Sequence, residues 1–267
     1  MEKLKLYVGK ETPESKHDTF RELLDLWDES DFIDIIRHDS DYFTWVGGIG
    51  DILLYEYDRW DTHFPGLPNK WNHALFACDQ HAQGDPIFYW ARHPRKIEEK
   101  IQEGIKTYDE RNIESIFLGK SENLIQLRNR TKENWEIYIE EFNMDIKMGD
   151  SFNWRYSQDK YLDKISRSRF GLDLAGFGRK TNRLIEYFAL GVVPLVAPEV
   201  CMEFYDSPVE GVHYFRVSNG EDIYSAIEKC SKSKWEAMSE AGKKWYEKNC
   251  SREGSFKTTC EILSGLK

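Results

Sequence analysis

Apolar and polar positions follow two rhythms along the chain. Apolar runs of strand length occur at Leu4–Val8, Phe32–Ile36, Trp71–Cys78, Ile87–Trp90, Ser115–Leu118, Glu136–Phe142, Phe170–Leu174, Val192–Val196 and His213–Val217. Between many of them, apolar residues return every three or four positions, as on one face of a helix. Pro13–Trp27 sets Phe20, Leu23, Leu24 and Trp27 on such a face, and Pro94–Asp109 repeats Ile97, Ile101 and Ile105. Tyr161–Ser168, Glu221–Cys230, Lys234–Lys248 and Ser255–Leu266 read as further helices, with Asn219 and Ser233 placed to cap two of them. Ile52–Tyr57 fits a strand or a helix start, and Asn143–Asp159 reads as a polar loop. Strand and helix alternate, which predicts an α/β class with mostly parallel sheets. The break near Asp109–Glu114 divides the chain into residues 1–112 and 113–267, with the last helix free to pack back on the first part.

A chain of 267 residues is long enough for one large domain or two small ones. Its formal net charge of −10 argues against nucleic acid as the main partner, since phosphate backbones need a basic face. Cys78, Cys201, Cys230, Cys250 and Cys260 are odd in number and show no CxxC spacing, which fits reduced thiols better than a disulfide or zinc framework. The opening MEKLKLYVGK has no secretory pattern and no run is long enough to span a membrane, so a soluble cytoplasmic protein is expected.

The strongest chemical signal is Arg169–Glu199. An apolar strand runs into a turn with Gly176 and Gly178, then Arg179, Lys180, Thr181 and Asn182. A helix follows, carrying Arg183 and Glu186 one turn apart and ending at Gly191, and a second apolar strand comes at once. Glycines let a backbone approach a diphosphate closely, and a helix N-terminus offers free N–H groups. The Arg183 guanidinium suits phosphate oxygens. Glu186 shares its helix face and suits a pair of ribose hydroxyls. Arg179 or Lys180 adds positive charge to the loop.

This text resembles the nucleotide-sugar-binding lobe of GT-B glycosyltransferases, and within them the exostosin family. The resemblance is carried by Ser168-Arg169-Phe170, the loop Gly176–Thr181, Arg183-Leu184-Ile185-Glu186-Tyr187-Phe188-Ala189-Leu190 and Gly191-Val192-Val193-Pro194-Leu195-Val196, and continues through Phe204–Val217. Glu186-Tyr187-Phe188 departs from the family's Glu-Ala-Leu. Many relatives carry a membrane anchor and stem; with no such text in this sequence, a soluble version is expected, of the sort some large algal viruses encode, which would place it in a host cytoplasm. The resemblance implies two Rossmann-like lobes around an interlobe cleft, with the acceptor glycan on the first and a UDP-sugar on the second. Arg183 would contact the diphosphate and Glu186 the ribose, and Gly178, Lys180, Thr181 and Asn182 would line the donor site. It further implies a strand ending in Gly119 with a basic residue nearby. Lys120 and Arg128 are the candidates, and Arg130 reads as part of a solvated helix face. No cofactor and no metal are expected. Xylose is the best guess for the sugar, among xylosyl, glucuronosyl, galactosyl and arabinosyl transfers known in the family.

Transfer needs a base for the acceptor hydroxyl. Asp51, closing the glycine-rich VGGIGD turn, is the first candidate, with Asp79 and His81 and then Asp61 and His63 as rivals. Trp45, Trp60 and Trp154 are placed to stack on sugar rings, although core packing uses such residues more often. Two other readings fit the same residues: a phosphorylase or nucleotide-sugar epimerase on this fold, and a non-catalytic glycan-binding module.

Overall fold

The computed structural model describes residues 4–9, 18–38, 44–47, 52–55, 72–75, 85–86, 93–120, 130–145, 157–176 and 179–265. In chain order the strands are β1 (Leu4–Gly9), β2 (Ile33–His38), β3 (Thr44–Gly47), β4 (Ile52–Tyr55), β5 (Asn72–Leu75), β6 (Asp85–Pro86), β7 (Ile113–Lys120), β8 (Glu141–Asp145), β9 (Ser168–Asp173), β10 (Val193–Val196) and β11 (Phe215–Arg216). The helices are α1 (Asp18–Glu29), α2 (Pro94–Gln102), α3 (Gln158–Ser166), α4 (Asn182–Ala189), α5 (Gly220–Glu228), α6 (Lys232–Asn249) and α7 (Arg252–Gly265), with a 3-10 turn at Trp135–Ile137. Two compact units result: Met1–Arg95 with Phe204–Asp206 and Glu247–Lys267, and Lys96–Glu203 with Ser207–Tyr246. Among the described residues no helix is long and apolar enough to cross a membrane.

The first unit holds a mixed sheet in the order β2-β1-β3-β4-β5-β6. β3 runs antiparallel to both neighbours, and the other pairs are parallel. Of the ambiguous Ile52–Tyr57 segment, Ile52–Tyr55 is therefore a strand and the last two residues lie outside the described ones; Val46 pairs with Ile52. α1 buries Leu23, Leu26 and Trp27. The Trp27 indole N–H donates to Ser255 Oγ of α7 at 3.0 Å, and Phe32 stacks on Phe256 with ring centroids 4.8 Å apart.

The second unit holds an all-parallel sheet in the order β11-β10-β9-β7-β8. Counted by sequence from β7, that is 2-1-3-4-5, a doubly wound order. β9 and β10 are buried almost throughout, as strands covered on both faces must be. Their Phe170, Leu172, Val193 and Leu195 join Phe117, Trp135, Val217, Ile223 and Trp235 in one core.

Three local expectations are corrected. The helix expected over Pro94–Asp109 stops at Gln102, because Gly104 takes φ +101° and turns the chain away. The strand expected over Glu136–Phe142 is a 3-10 turn followed by β8. Trp135 and Ile139 point inward while Ile137 and Tyr138 are exposed, so burial follows a spacing of four rather than two. Asn219 caps α5 as expected, accepting from Asp222 N at 2.9 Å, but α6 is capped by Ser231 rather than Ser233, since Lys234 N donates to Ser231 Oγ.

The corner after α4 is held by a glycine and a buried arginine. Gly191 sits at φ +66°, and a Cβ there would lie 2.7 Å from Ser239 Oγ and 3.3 Å from the Arg111 guanidinium. Gly191→Ala should destabilise the protein by about 1–2 kcal/mol from the left-handed backbone alone, read as a lower urea midpoint. Arg111, only 1% exposed, donates to Ser168 O at 2.6 Å, Leu190 O at 2.7 Å and Lys106 O at 3.0 Å. Burial lowers its pKa to about 10, so it stays charged at neutral pH.

Candidate functional site

Two strand ends and one helix start build the site. β7 ends in Gly119-Lys120, β9 ends in Asp173, and α4 follows Thr181. In a 2-1-3-4-5 sheet the chain leaves the first and third strands toward opposite sides. The place beyond their carboxyl ends is where open α/β sheets take ligands. Here those strands are β7 and β9, paired in parallel from Ile113↔Ser168 to Ile116↔Gly171.

Thr181 ties the helix start to the strand end. Its Oγ1 accepts from Leu184 N at 3.2 Å, capping α4, and lies 2.7 Å from each oxygen of the Asp173 carboxylate, to which it donates. One turn on, Arg183 reaches back across the strand ends. Its Nη1 is 3.4 Å from Asp173 Oδ1 and 3.4 Å from Leu174 O, and its guanidinium lies 4.5 Å from the centre of the Phe117 ring. Gly119 makes room for this, since a Cβ there would sit 2.9 Å from Arg183 Nη2 and 2.8 Å from the Phe117 ring.

Glu186 is buried and accepts the Tyr161 hydroxyl at 2.5 Å. The Tyr187 ring packs against Gly171, where a Cβ would come within 2.4 Å of it, and the Tyr187 hydroxyl donates to Leu172 O at 3.0 Å. A second cation closes the group. Arg130 Nε donates to Ala175 O at 2.7 Å, and its guanidinium lies 5.6 Å from the same Phe117 ring. Thr131 Oγ1 donates to Glu199 Oε2 at 2.5 Å, which brings another carboxylate to the rim.

The electrostatics follow from burial. Asp173 is fully buried, and desolvation pushes its pKa up to about 6 against the opposing pull of Arg183 and Thr181, with Glu199 adding to the rise. A carboxyl with a raised pKa favours the folded state most when it holds its proton. That contribution is complete below the unfolded value near 4 and is lost as pH rises through about 6. Burial also works against the charge on Arg183, but Tyr187, Tyr161, Asp173 and Glu186 outweigh it and hold its pKa above the ordinary value. Burial, then the charge of Arg183, lowers Arg130 to about 10. Burial, then the charge of Glu186, raises Tyr161 well above its ordinary value. The site is thus a pair of guanidinium groups on one aromatic ring, offset by the Asp173 carboxylate, which burial makes costly to keep ionised.

No family model and no curated protein matches this chain. Among solved structures it is similar to a glycosyltransferase from Rickettsia africae ESF-5. That similarity has 11% identity and a TM-score of 0.46, covering 98% of this chain and 97% of that one. At that level of likeness the chemistry of the site has to be read from its residues.

The structure brings Thr181, Arg183 and Glu186 into one polar cluster with Gly119 beside them. Lys180 and Thr181 are buried and Asn182 is half-buried. Lys120 is described as the last residue of β7. Asp51, Asp79, His81, Arg128 and Gly178 lie outside the described residues, as do the rivals Asp61 and His63. Arg130 is corrected: it is half-buried against Phe117 and Ala175 rather than on a solvated face. The sequence reading passed over Asp173, Tyr161 and Glu199. Asp173 had a signal, a lone charge between Leu172 and Leu174 in an otherwise apolar run. Tyr161 had none, because it comes to the site from another segment, and Glu199 closes the Arg169–Glu199 segment but is marked by its contact with the distant Thr131.

Proposed function

We propose that the chain is a glycosyltransferase whose second unit binds a nucleotide-sugar donor, in the manner of GT-B enzymes of the exostosin type. One observation carries the reading. The segment that resembles a donor-binding motif puts its arginine at the carboxyl ends of β7 and β9, the switch point of a doubly wound sheet, beside a second guanidinium. Two cations and a capped helix start can offset the charge of a departing diphosphate without a metal. In this reading Arg183 and Arg130 meet the diphosphate, with Lys120, Arg128 and Lys180 as further cations. Gly119, Gly178, Thr181 and Asn182 complete the proposed donor site. Glu186, oriented by the Tyr161 hydroxyl, meets the ribose. The donor is a UDP-sugar, with xylose the first to try, and the acceptor is a glycan hydroxyl. Asp51, Asp79 and His81 are the proposed candidates for the base.

A thermal-shift series with UDP, GDP, CDP and their sugars tests the donor, because a ligand that binds only the folded state raises Tm. UDP and UDP-sugars should raise it and the others should not. Arg183→Lys and Glu186→Gln keep the buried contacts in part while removing the fork and the charge. Each should weaken UDP-sugar binding by about 1–3 kcal/mol in calorimetric titrations. Incubation with donor and glycan should release UDP and extend the glycan. Sugar 1-phosphate or an epimerised donor as product, or binding indifferent to Arg183→Lys, would reject the transferase reading.

A further inference from the structure

The Asp173 carboxylate is poorly provided for. It is fully buried at the end of β9, and the Thr181 hydroxyl has a single hydrogen to share between two carboxylate oxygens at equal distance. The Arg183 contact, at 3.4 Å, is long for a charge-assisted hydrogen bond. Arg183 Nε is buried and has no hydrogen-bond partner among the described residues. Arg183 is thus held by Asp173 loosely, through one edge, while the other charged groups of the site gather around both. Arg130 approaches from the segment after β7 and Glu199 from the segment after β10. Tyr187 and Glu186 face the pair from α4, and Tyr161 from α3.

A phosphate group drawn to Arg183 would bring negative charge beside a carboxylate that has no solvent around it and Glu199 already nearby. The two anions would compete for one guanidinium. The cheapest relief is to neutralise the member that is already hardest to keep ionised.

Resting on the donor-site reading above, we propose that Asp173 is the positioning residue of Arg183, and that a phosphate-bearing donor arriving at Arg183 draws one proton from solvent onto the Asp173 carboxylate. Donor binding and proton uptake are then one coupled event. In the empty site the charged carboxylate holds Arg183 in place across Phe117. In the occupied site the neutral acid keeps its bond with Thr181 and yields the guanidinium to the phosphate. The free carboxyl, with its pKa at about 6, is mostly ionised at pH 7 and has a proton to gain there.

The test is isothermal titration calorimetry of the full chain with UDP-glucose and UDP-xylose. Their phosphodiester oxygens do not titrate between pH 5.5 and 8. Titrations at pH 7 in two buffers of different ionisation enthalpy should show uptake approaching about one proton per donor bound, and affinity should fall up to about tenfold per pH unit above 6. Asp173→Asn keeps the shape and an acceptor for Thr181. It should bind at pH 8 at least as tightly as the unaltered protein, with a flat pH profile and no proton uptake. A merely structural Asp173 predicts instead a weaker variant with the pH profile unchanged, and that outcome would overturn the proposal. Donor binding by the unaltered protein with no proton uptake overturns it as well, whether or not Asp173→Asn folds, and leaves the donor site standing. Failure of both UDP-sugars to bind overturns the donor reading and this inference together.

Discussion

Replacing Arg111 by methionine is expected to lower the unfolding free energy by at least about 3 kcal/mol, taking about 1 kcal/mol for each buried acceptor left bare. The side chain satisfies three main-chain carbonyls from three segments: Lys106 after α2, Ser168 at the start of β9, and Leu190 at the end of α4. Methionine fills much of the volume, which isolates the polar loss from cavity formation. Trp235 adds to the penalty, because the guanidinium also lies 5.0 Å from the centre of its ring. Arg111→Lys should recover only part, since an ammonium cannot reach three carbonyls through a planar fork. Urea unfolding followed by far-UV circular dichroism measures both variants. A loss below about 1 kcal/mol for methionine would mean that water replaces the guanidinium at these carbonyls.

Arg183→Ala should cost about 3–5 kcal/mol at pH 8, because it strands a buried carboxylate. The cost should be pH-dependent in a definite direction. In the unaltered protein Asp173 gives up its proton through about pH 6 and is then held by Arg183. Without Arg183 it must either keep the proton or stay charged alone. The penalty therefore grows by up to about 1.4 kcal/mol for each pH unit above 6, and below that only the contact with Phe117 and Leu174 O is lost. Adding Asp173→Asn to Arg183→Ala should remove the pH-dependent part, since no buried acid remains. A double-mutant cycle at pH 5.5 and pH 8 gives the coupling energy directly. Equal coupling at both pH values would show that Asp173 does not titrate in that window.

Much of the second unit was legible because its signals agree with one another. Val192–Val196 is an unbroken apolar run and Phe170–Leu174 carries the single charge of Asp173, close to what strands covered on both faces require, and they fall on β10 and β9. Thr181 stands where a cap belongs, and the segment after it buries Leu184, Ile185, Tyr187 and Phe188. Segments whose pattern fits two structures were read less well. Trp135, Ile137 and Ile139 alternate with polar neighbours on paper, but only the first and last face the core. Ile105 extends the spacing of α2 past its true end, since a left-handed glycine outweighs a matching apolar position. The candidate site was legible where its residues lie within one segment. Arg183, Glu186 and Thr181 are close in sequence and stay together. Arg130 and Tyr161 arrive through tertiary contacts with Phe117 and Glu186, which no local spacing encodes.

β7 lies between two strands that both follow it in the chain, β8 and β9. As the polypeptide is synthesised, Ile113–Lys120 emerges with neither edge partnered. One edge waits for Glu141–Asp145 and the other for Ser168–Asp173. Through some fifty residues of elongation, about the distance from the end of β7 to that of β9, a run containing Ile116, Phe117 and Leu118 offers unpaired amides to any extended neighbour. The strand that seats both arginines in the finished protein is therefore the one most in need of shielding while the chain is being made.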